Sequence, residues 1–340
     1  MKTGRFILSI CLTAFVAASF AQSPKPMMKA IVVREYGGPE VLKYEDVPRP
    51  EPKDDQILVR VIAAGVNPVD AMIRSGMFAK YEKDVFPMTP GADIAGVVEK
   101  VGSKITKFKA GDPVFTYVSL KGGGGYAEYA LATERDTATK PKSLSYVEAA
   151  AVPIVALTAW QALIDTAKLG AGQTVLIHGG SGGVGSFAIQ IAKARGAKVI
   201  ATASTANQDL LKELGADVAI DYTKQKFEDI AKDVDVVLDS VGKDTLARSY
   251  GVVKKGGFIV SIVGRPDPGE LEKHRIHGAS ISVEPNADDL AEIGKLIDEK
   301  KIKVIVSQTF PLSGATKAQE QVATGHTRGK IVLKVADEPK

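Results

Sequence analysis

The run Ile177–Ser186, IHGGSGGVGS, constrains the fold more than any other stretch of the chain. It follows a short apolar segment, Thr174-Val175-Leu176-Ile177, and Gly180, Gly182 and Gly185 fit G-x-G-x-x-G. Beyond them Val184, Phe187, Ala188, Ile191 and Ala192 recur at the spacing of one helix face. Strand, glycine turn and helix in that order predict a parallel α/β sheet with a phosphate cradle at the turn. On this reading Gly180 permits the tight turn. Gly182 lets the backbone approach a pyrophosphate, and Gly185 lets the helix pack on the strand. The helix N-terminus adds free N–H groups and partial positive charge, so Ser181, Gly183 and Val184 join the glycines as candidate dinucleotide ligands.

The alternation continues downstream. Strands are expected at Lys198–Ala203, Asp217–Asp221, Val234–Asp239 and Gly257–Ile262. Helices are expected at Val184–Arg195, Gln208–Leu214, Phe227–Ala231, Thr245–Val253 and Ala287–Lys300. This βαβα order implies a doubly wound parallel sheet covered on both faces. Upstream, Tyr146–Ala171 reads as helical with a break at Pro153. Before Ser143 the pattern is different. Met28–Arg34, Gln56–Ala64, Ile94–Val101 and Val114–Tyr117 are short β-rich runs, broken by Pro48–Asp55 and by the glycines at 122–125. The expected domains are a mostly β unit at 28–142, a parallel α/β unit at 143–302, and a segment at 303–340 whose final strand, Lys330–Val335, rejoins the first unit.

The N-terminus belongs to neither unit. Lys2 and Arg5 precede an apolar run from Phe6 to Ala18, and Ser19-Phe20-Ala21 supplies small residues where a signal peptidase cuts. Residues 1–21 therefore read as a secretory signal and 22–27 as a linker, placing the mature chain in the periplasm or outside the cell. A misassigned start would leave it cytoplasmic. The apolar run is short for a membrane span, so the mature chain is expected outside the bilayer. Losing Lys2 and Arg5 lowers the formal net charge from +4 to +2, which argues against nucleic acid or an anionic membrane as partner. Losing Cys11, the one cysteine, excludes disulfides and cysteine-ligated metal from the mature chain.

An acidic residue about 20 positions past the first glycine would bond the ribose 2′-hydroxyl of NAD. Here Val199–Gln208 has no Asp or Glu, and Ser204 stands near that place. A carboxylate there would repel a 2′-phosphate, so its absence favours NADP over NAD. No arginine or lysine between Lys198 and Lys212 is available to pair with the phosphate, and the choice stays open.

Several further motifs occur in a telling order: MKAIVVREYGGPEVL from Met28, AAGVNPVDAMIRSG from Ala63, PGADIAGVVEKVG from Pro90, GGYAEYA from Gly124, AVPIVALTAWQAL from Ala151, LGADVAIDY from Leu214 and HTRGKIVLKV from His326. Together with the glycine turn they resemble the medium-chain dehydrogenase/reductase superfamily, in its zinc-independent quinone oxidoreductase and alkenal/enone reductase branch. The resemblance spans roughly Met28–Val335. It implies a Rossmann domain holding NADPH, a GroES-like substrate domain, an active site between them, and a homodimer. By matched position it also implies cofactor contacts from Thr158, Tyr222, Val241, Val263 and Lys330. The residues themselves leave plainer alternatives: a helix-interior hydroxyl for Thr158, core packing for Tyr222, and an exposed strand-start lysine for Lys330.

Where zinc-dependent members carry a cysteine and a histidine, this chain has Asn67 and Ala92, so no zinc is expected and alcohol oxidation is disfavoured. A conjugated acceptor needs only hydride and a hydrogen bond to the oxygen that gains charge. Asn67 is the candidate donor, or else a cap for the Pro68 turn. Arg74 and Tyr81 are the other catalytic candidates, the latter as a substitute proton donor. His178 reads as a strand-end residue, and His274 and His277 as a surface segment. The expected activity is NADPH-dependent reduction of a small quinone or α,β-unsaturated carbonyl. The alternatives are an enoyl-thioester reductase and an NADPH-binding redox sensor without turnover.

Overall fold

The structure, a computed structural model, describes residues 26–81, 86–119 and 123–339. The expected signal segment 1–21, residues 22–25 of the linker and Lys121-Gly122 of the glycine turn lie outside the described residues. Among the described residues no helix is long and apolar enough to cross a membrane.

Six parallel strands form one sheet in the order Val218–Asp221, Lys198–Ala203, Thr174–Ile177, Val234–Asp239, Val253–Ser261 and His277–Ser280. The middle of the central pair is apolar, and Val175, Leu176, Ile177, Val236, Val237 and Leu238 are all buried. That is the pattern of strands covered on both faces. From Thr174–Ile177 the chain winds outward on one side, then crosses back to Val234–Asp239 on the other. The order reverses beside the glycine turn, which is where such sheets open a crevice at their carboxyl ends.

The helix after the turn is Gly183–Ala194, and it buries Phe187, Ala188, Ile189, Ile191 and Ala192. Each large apolar side chain there stabilises the fold by roughly 1.5–3 kcal/mol. Gly196, at φ +80, lets the chain leave the helix.

The second sheet has seven strands. Its path runs Val306–Pro311, Lys330–Lys334, Ile57–Val66, Asp93–Val101, Pro113–Tyr117 and Thr137–Thr139, and Tyr129–Ala132 also pairs with Ile57–Val66. Lys330–Lys334 lies antiparallel to Ile57–Val66, with Ile331 opposite Val66. The end of the chain thus completes the sheet built by its beginning.

Several elements differ from the sequence expectation. The helical stretch expected over Tyr146–Ala171 breaks before Pro153 as expected, into Tyr146–Ala150 and Pro153–Trp160, but ends in a π-helical turn, Gln161–Thr166. Pro153 lacks an N–H and so starts a helix rather than continuing one. Thr245–Val253 is a helix only as Lys243–Ser249, followed by a 3-10 turn at Tyr250–Val252. The turn expected at Pro68 is the start of a helix, Pro68–Arg74, with Pro68 at its first position, where the missing N–H costs nothing. His277, read as part of a surface segment, is exposed and opens the edge strand.

Candidate functional site

The carboxyl ends of the parallel strands, the start of Pro68–Arg74 and the loop before Lys330 enclose a cleft of about 980 Å³. Asn67, Ser181 to Gly185, Ser204, Tyr222, Val241, Val263 and Lys330 all line it. Of the other candidates, Gly180, Thr158 and Arg74 do not. Tyr81 ends a short 3-10 turn, Ala79–Tyr81, and its side chain lies outside the described residues.

The glycine turn fits a diphosphate, with roles that differ from the motif reading. The positive φ belongs to Gly179, at +69, and not to Gly180. A Cβ on Gly180 would lie 2.7 Å from Leu211 Cδ2, so this glycine serves packing. A Cβ on Gly185 would lie 2.2 Å from the Gly179 carbonyl oxygen, so helix and turn touch there. A Cβ on Gly182 would meet only that same oxygen, at 3.4 Å, and would otherwise occupy the open cradle. The first 13-atom helical ring closes with Ser186 N–H donating to the Gly182 carbonyl at 3.0 Å. The earlier N–H groups of the helix have no intrahelical partner and are available to an anion.

The C-terminal segment closes over this turn. Gly329 N–H donates to Ser181 O at 2.8 Å, and Gly329 pairs with Gly182 in an isolated bridge. His326 and Thr327, from the same loop, line the cleft as well.

At the outer end Ser204 and Asn207 meet, with Asn207 Nδ2 donating to Ser204 Oγ at 3.1 Å, and Tyr222 stands 56% exposed beside them. Tyr222 is therefore not core packing. A carboxylate does approach this corner, from the neighbouring strand Val218–Asp221 rather than from Val199–Gln208. Asp221 accepts from the hydroxyls of Thr205 and Thr223, which hold its carboxyl down to about 2. Asp221 is occupied by those bonds and does not line the cleft.

Val241 and Val263 are about half exposed on the cleft wall. Buried Asp239 sets the loop that carries Val241. Its carboxylate accepts from the N–H groups of Val241 and Gly242, at 3.0 and 2.8 Å, and from Ser261 Oγ at 2.7 Å. His178 lies in the floor, with Nε2 3.0 Å from Ser249 Oγ and its ring edge-on to Phe227. Burial pushes its pKa down to about 4, so the imidazole is neutral near pH 7 and structural.

Asn67 stands at a helix start and in the cleft wall at once. It is the N-cap of Pro68–Arg74, its backbone N–H donating to Asp70 Oδ2 at 2.8 Å, and it also lines the cleft. Its side-chain nitrogen donates to Asp93 Oδ2 at 2.9 Å, and its oxygen accepts from Lys330 Nζ. Lys330 is 3% exposed, so the alternative of a solvated strand-start lysine is corrected. The Lys330 ammonium also donates to Val66 O at 3.0 Å and pairs with Asp93 at 3.3 Å. It therefore faces the Asn67 end of the cleft, while its stem packs under Gly183. Asp93 was not singled out in the sequence. An acid opening the apolar strand Asp93–Val101 is the signal that marks it.

Arg74 has a different role from the catalytic one expected. Its Nε donates to Gln319 Oε1 at 2.8 Å and its Nη1 to Gly37 O, tying Pro68–Arg74 to the helix Ala315–Ala323. Burial lowers its pKa, yet the guanidinium stays charged. Thr158 Oγ1 donates to Ile154 O at 2.7 Å, the helix-interior bond that was its plainer alternative.

Comparison with known proteins agrees with this geometry. Residues 53–142 match the alcohol dehydrogenase GroES-like domain, and residues 214–333 match the zinc-binding dehydrogenase family. The NADPH-dependent alkenal/one oxidoreductase of Arabidopsis thaliana chloroplasts is 41% identical over 324 residues, covering 92% of this chain and 81% of that protein. Among solved structures, the quinone oxidoreductase of Coxiella burnetii superposes with a TM-score of 0.85 at 38% identity, covering 91% of this chain and 100% of that one. The Escherichia coli quinone oxidoreductase complexed with NADPH gives 0.81 at 31% identity, covering 90% and 100%.

One family description names zinc, and the residues here do not fit it. Zinc takes thiolate, imidazole and carboxylate ligands. Asn67 and Ala92 supply none of these. Asp93 is already bonded to Asn67, to Lys330 and to Ile154 N–H at 2.7 Å. A metal ion there would also face the Lys330 ammonium. Among the described residues no cluster of three or more His, Cys, Asp or Glu side chains could hold a metal.

Proposed function

The chain belongs to the medium-chain dehydrogenase/reductase family, and on that footing we propose that it is an NADPH-dependent reductase of quinones or α,β-unsaturated carbonyls, working without zinc. The observation that carries the reading is the cleft itself: a glycine cradle and an Asn67 amide share one cavity, with an ammonium where a metal ligand set would be needed. The Gly182–Gly185 turn would hold the diphosphate, and Ser204, Asn207 and Tyr222 would receive the adenosine end. NADPH supplies hydride when bound. Asn67 presents an amide N–H where the acceptor oxygen gains charge, and the apolar walls at Val66, Val155 and Ile262 exclude water. An enoyl-thioester substrate would need free cations for its phosphates. Arg248 in the lining is paired with Glu228 and Asp244, and Lys330 with Asp93.

The test is to follow NADPH and NADH absorbance with a quinone, an alkenal and a crotonyl thioester. Oxidation with the first two supports the reading. Oxidation with the thioester alone would move the substrate class. Cofactor binding without turnover on any of them would leave a sensor.

Two further properties belong to the same proposal. Lys2, Arg5 and the apolar run Phe6–Ala18 support export, for which purified protein beginning at Gln22 is the expected result. The edge strand His277–Ser280 pairs on one side only among the described residues, which supports self-association. Light scattering should give twice the chain mass.

A further inference from the structure

We propose that Lys330 is a positioning residue: with Asp93 it fixes which face of the Asn67 amide meets the acceptor. This rests on the reductase reading above. An asparagine amide has nearly identical oxygen and nitrogen ends, and turning it over costs little unless its neighbours tell them apart. Here they do. The Lys330 ammonium only donates, and it sits against Asn67 Oδ1. The Asp93 carboxylate only accepts, and it sits 2.9 Å from Asn67 Nδ2. The amide has one orientation that satisfies both. Its second N–H takes no partner among the described residues, and Asn67 lines the cleft, so this is the proton left for the acceptor oxygen.

The ammonium acts through Asn67 and not on the substrate. Its three N–H groups match three acceptors: Val66 O, Asn67 Oδ1 and Asp93 Oδ2. None is spare. Asp93 is itself held, its other oxygen accepting from Ile154 N–H at the start of the helix Pro153–Trp160. The lock therefore joins four segments of the chain, and the donor is fixed before an acceptor arrives.

The experiment compares wild type, N67A, K330M, K330Q and the N67A/K330M double variant, with menadione and hexenal as acceptors. Thermal unfolding and NADPH fluorescence report folding and loading. Methionine keeps the stem under Gly183 and removes the donor. Glutamine restores a donor without the charge. N67A should lower kcat by about a hundredfold and K330M by about tenfold, with the NADPH KM little changed. K330Q should recover most of the loss. In the N67A background, adding K330M should change kcat by less than about twofold, because residues acting through one group are not additive. Multiplying losses in the double variant, or a K330M enzyme at wild-type kcat, would overturn the lock. If K330M does not fold, K330Q with N67A carries the same cycle, and a K330Q enzyme as slow as N67A would overturn it. A wild type inert toward both acceptors is a separate outcome, and defeats the reductase reading instead.

Discussion

Tyr126 donates its hydroxyl to Asp70 Oδ2 at 2.7 Å, with the two residues only 0% and 2% exposed. The same oxygen accepts from Asn67 N–H, so the pair stands directly behind the site. Burial outweighs both bonds and raises the Asp70 carboxyl to about 6, while Tyr126 is pushed well above its ordinary value.

An acid raised in the folded state favours folding below its unfolded pKa, and that contribution is lost as pH rises through about 6. His178, depressed to about 4, has the opposite effect: its contribution is present above about 6.5 and lost on acidification. The two offset each other in mildly acid solution. Asp70→Asn keeps an oxygen for both donors and removes the buried charge. At about pH 8 it should match or exceed wild-type stability, by up to about 3 kcal/mol. Between about pH 6.5 and 4 its melting temperature should fall more steeply than wild type. A shallower fall, read by thermal denaturation across that range, would contradict the assignment.

Gly182→Ala and Gly185→Ala separate binding from folding. The first places a methyl in the open cradle, and should leave stability near wild type while weakening NADPH binding at least about tenfold. The second drives Cβ into the Gly179 carbonyl and should cost about 1–3 kcal/mol of stability. Fluorescence titration beside denaturant unfolding distinguishes them. Equal effects of the two on stability would refute the distinction.

Ser204→Asp puts a carboxylate at the outer end of the cleft. It should lower kcat/KM for NADPH relative to NADH by about tenfold or more, as expected for repulsion of a 2′-phosphate. An unchanged ratio would place the adenosine ribose elsewhere.

Arg74→Met should destabilise the protein by about 1–3 kcal/mol, since it leaves Gln319 and the Gly37 carbonyl without their donor. The folded enzyme should keep the wild-type KM for both substrates. A selective fall in kcat at unchanged stability would return Arg74 to the catalytic role first expected of it.

The glycine spacing and the helical period after it are short-range patterns, so the amino-acid sequence alone located the cradle, the Gly183–Ala194 helix and the parallel strands around them. It identified Asn67 by position. It could not tell that Gly179 makes the turn while Gly180 packs, because a backbone angle and a clash with Leu211 lie outside any motif. Nor could it find the partners of buried polar groups. Lys330 meets Asn67 across 263 positions, and Arg74 meets Gln319 across 245. A buried charge or amide must be satisfied by whatever segment the fold brings to it, and spacing along the chain carries no record of that choice. Local periodicity wrote the scaffold, and only the closure of the C-terminal strand against Ile57–Val66 brought the Lys330 ammonium to the side-chain oxygen of Asn67.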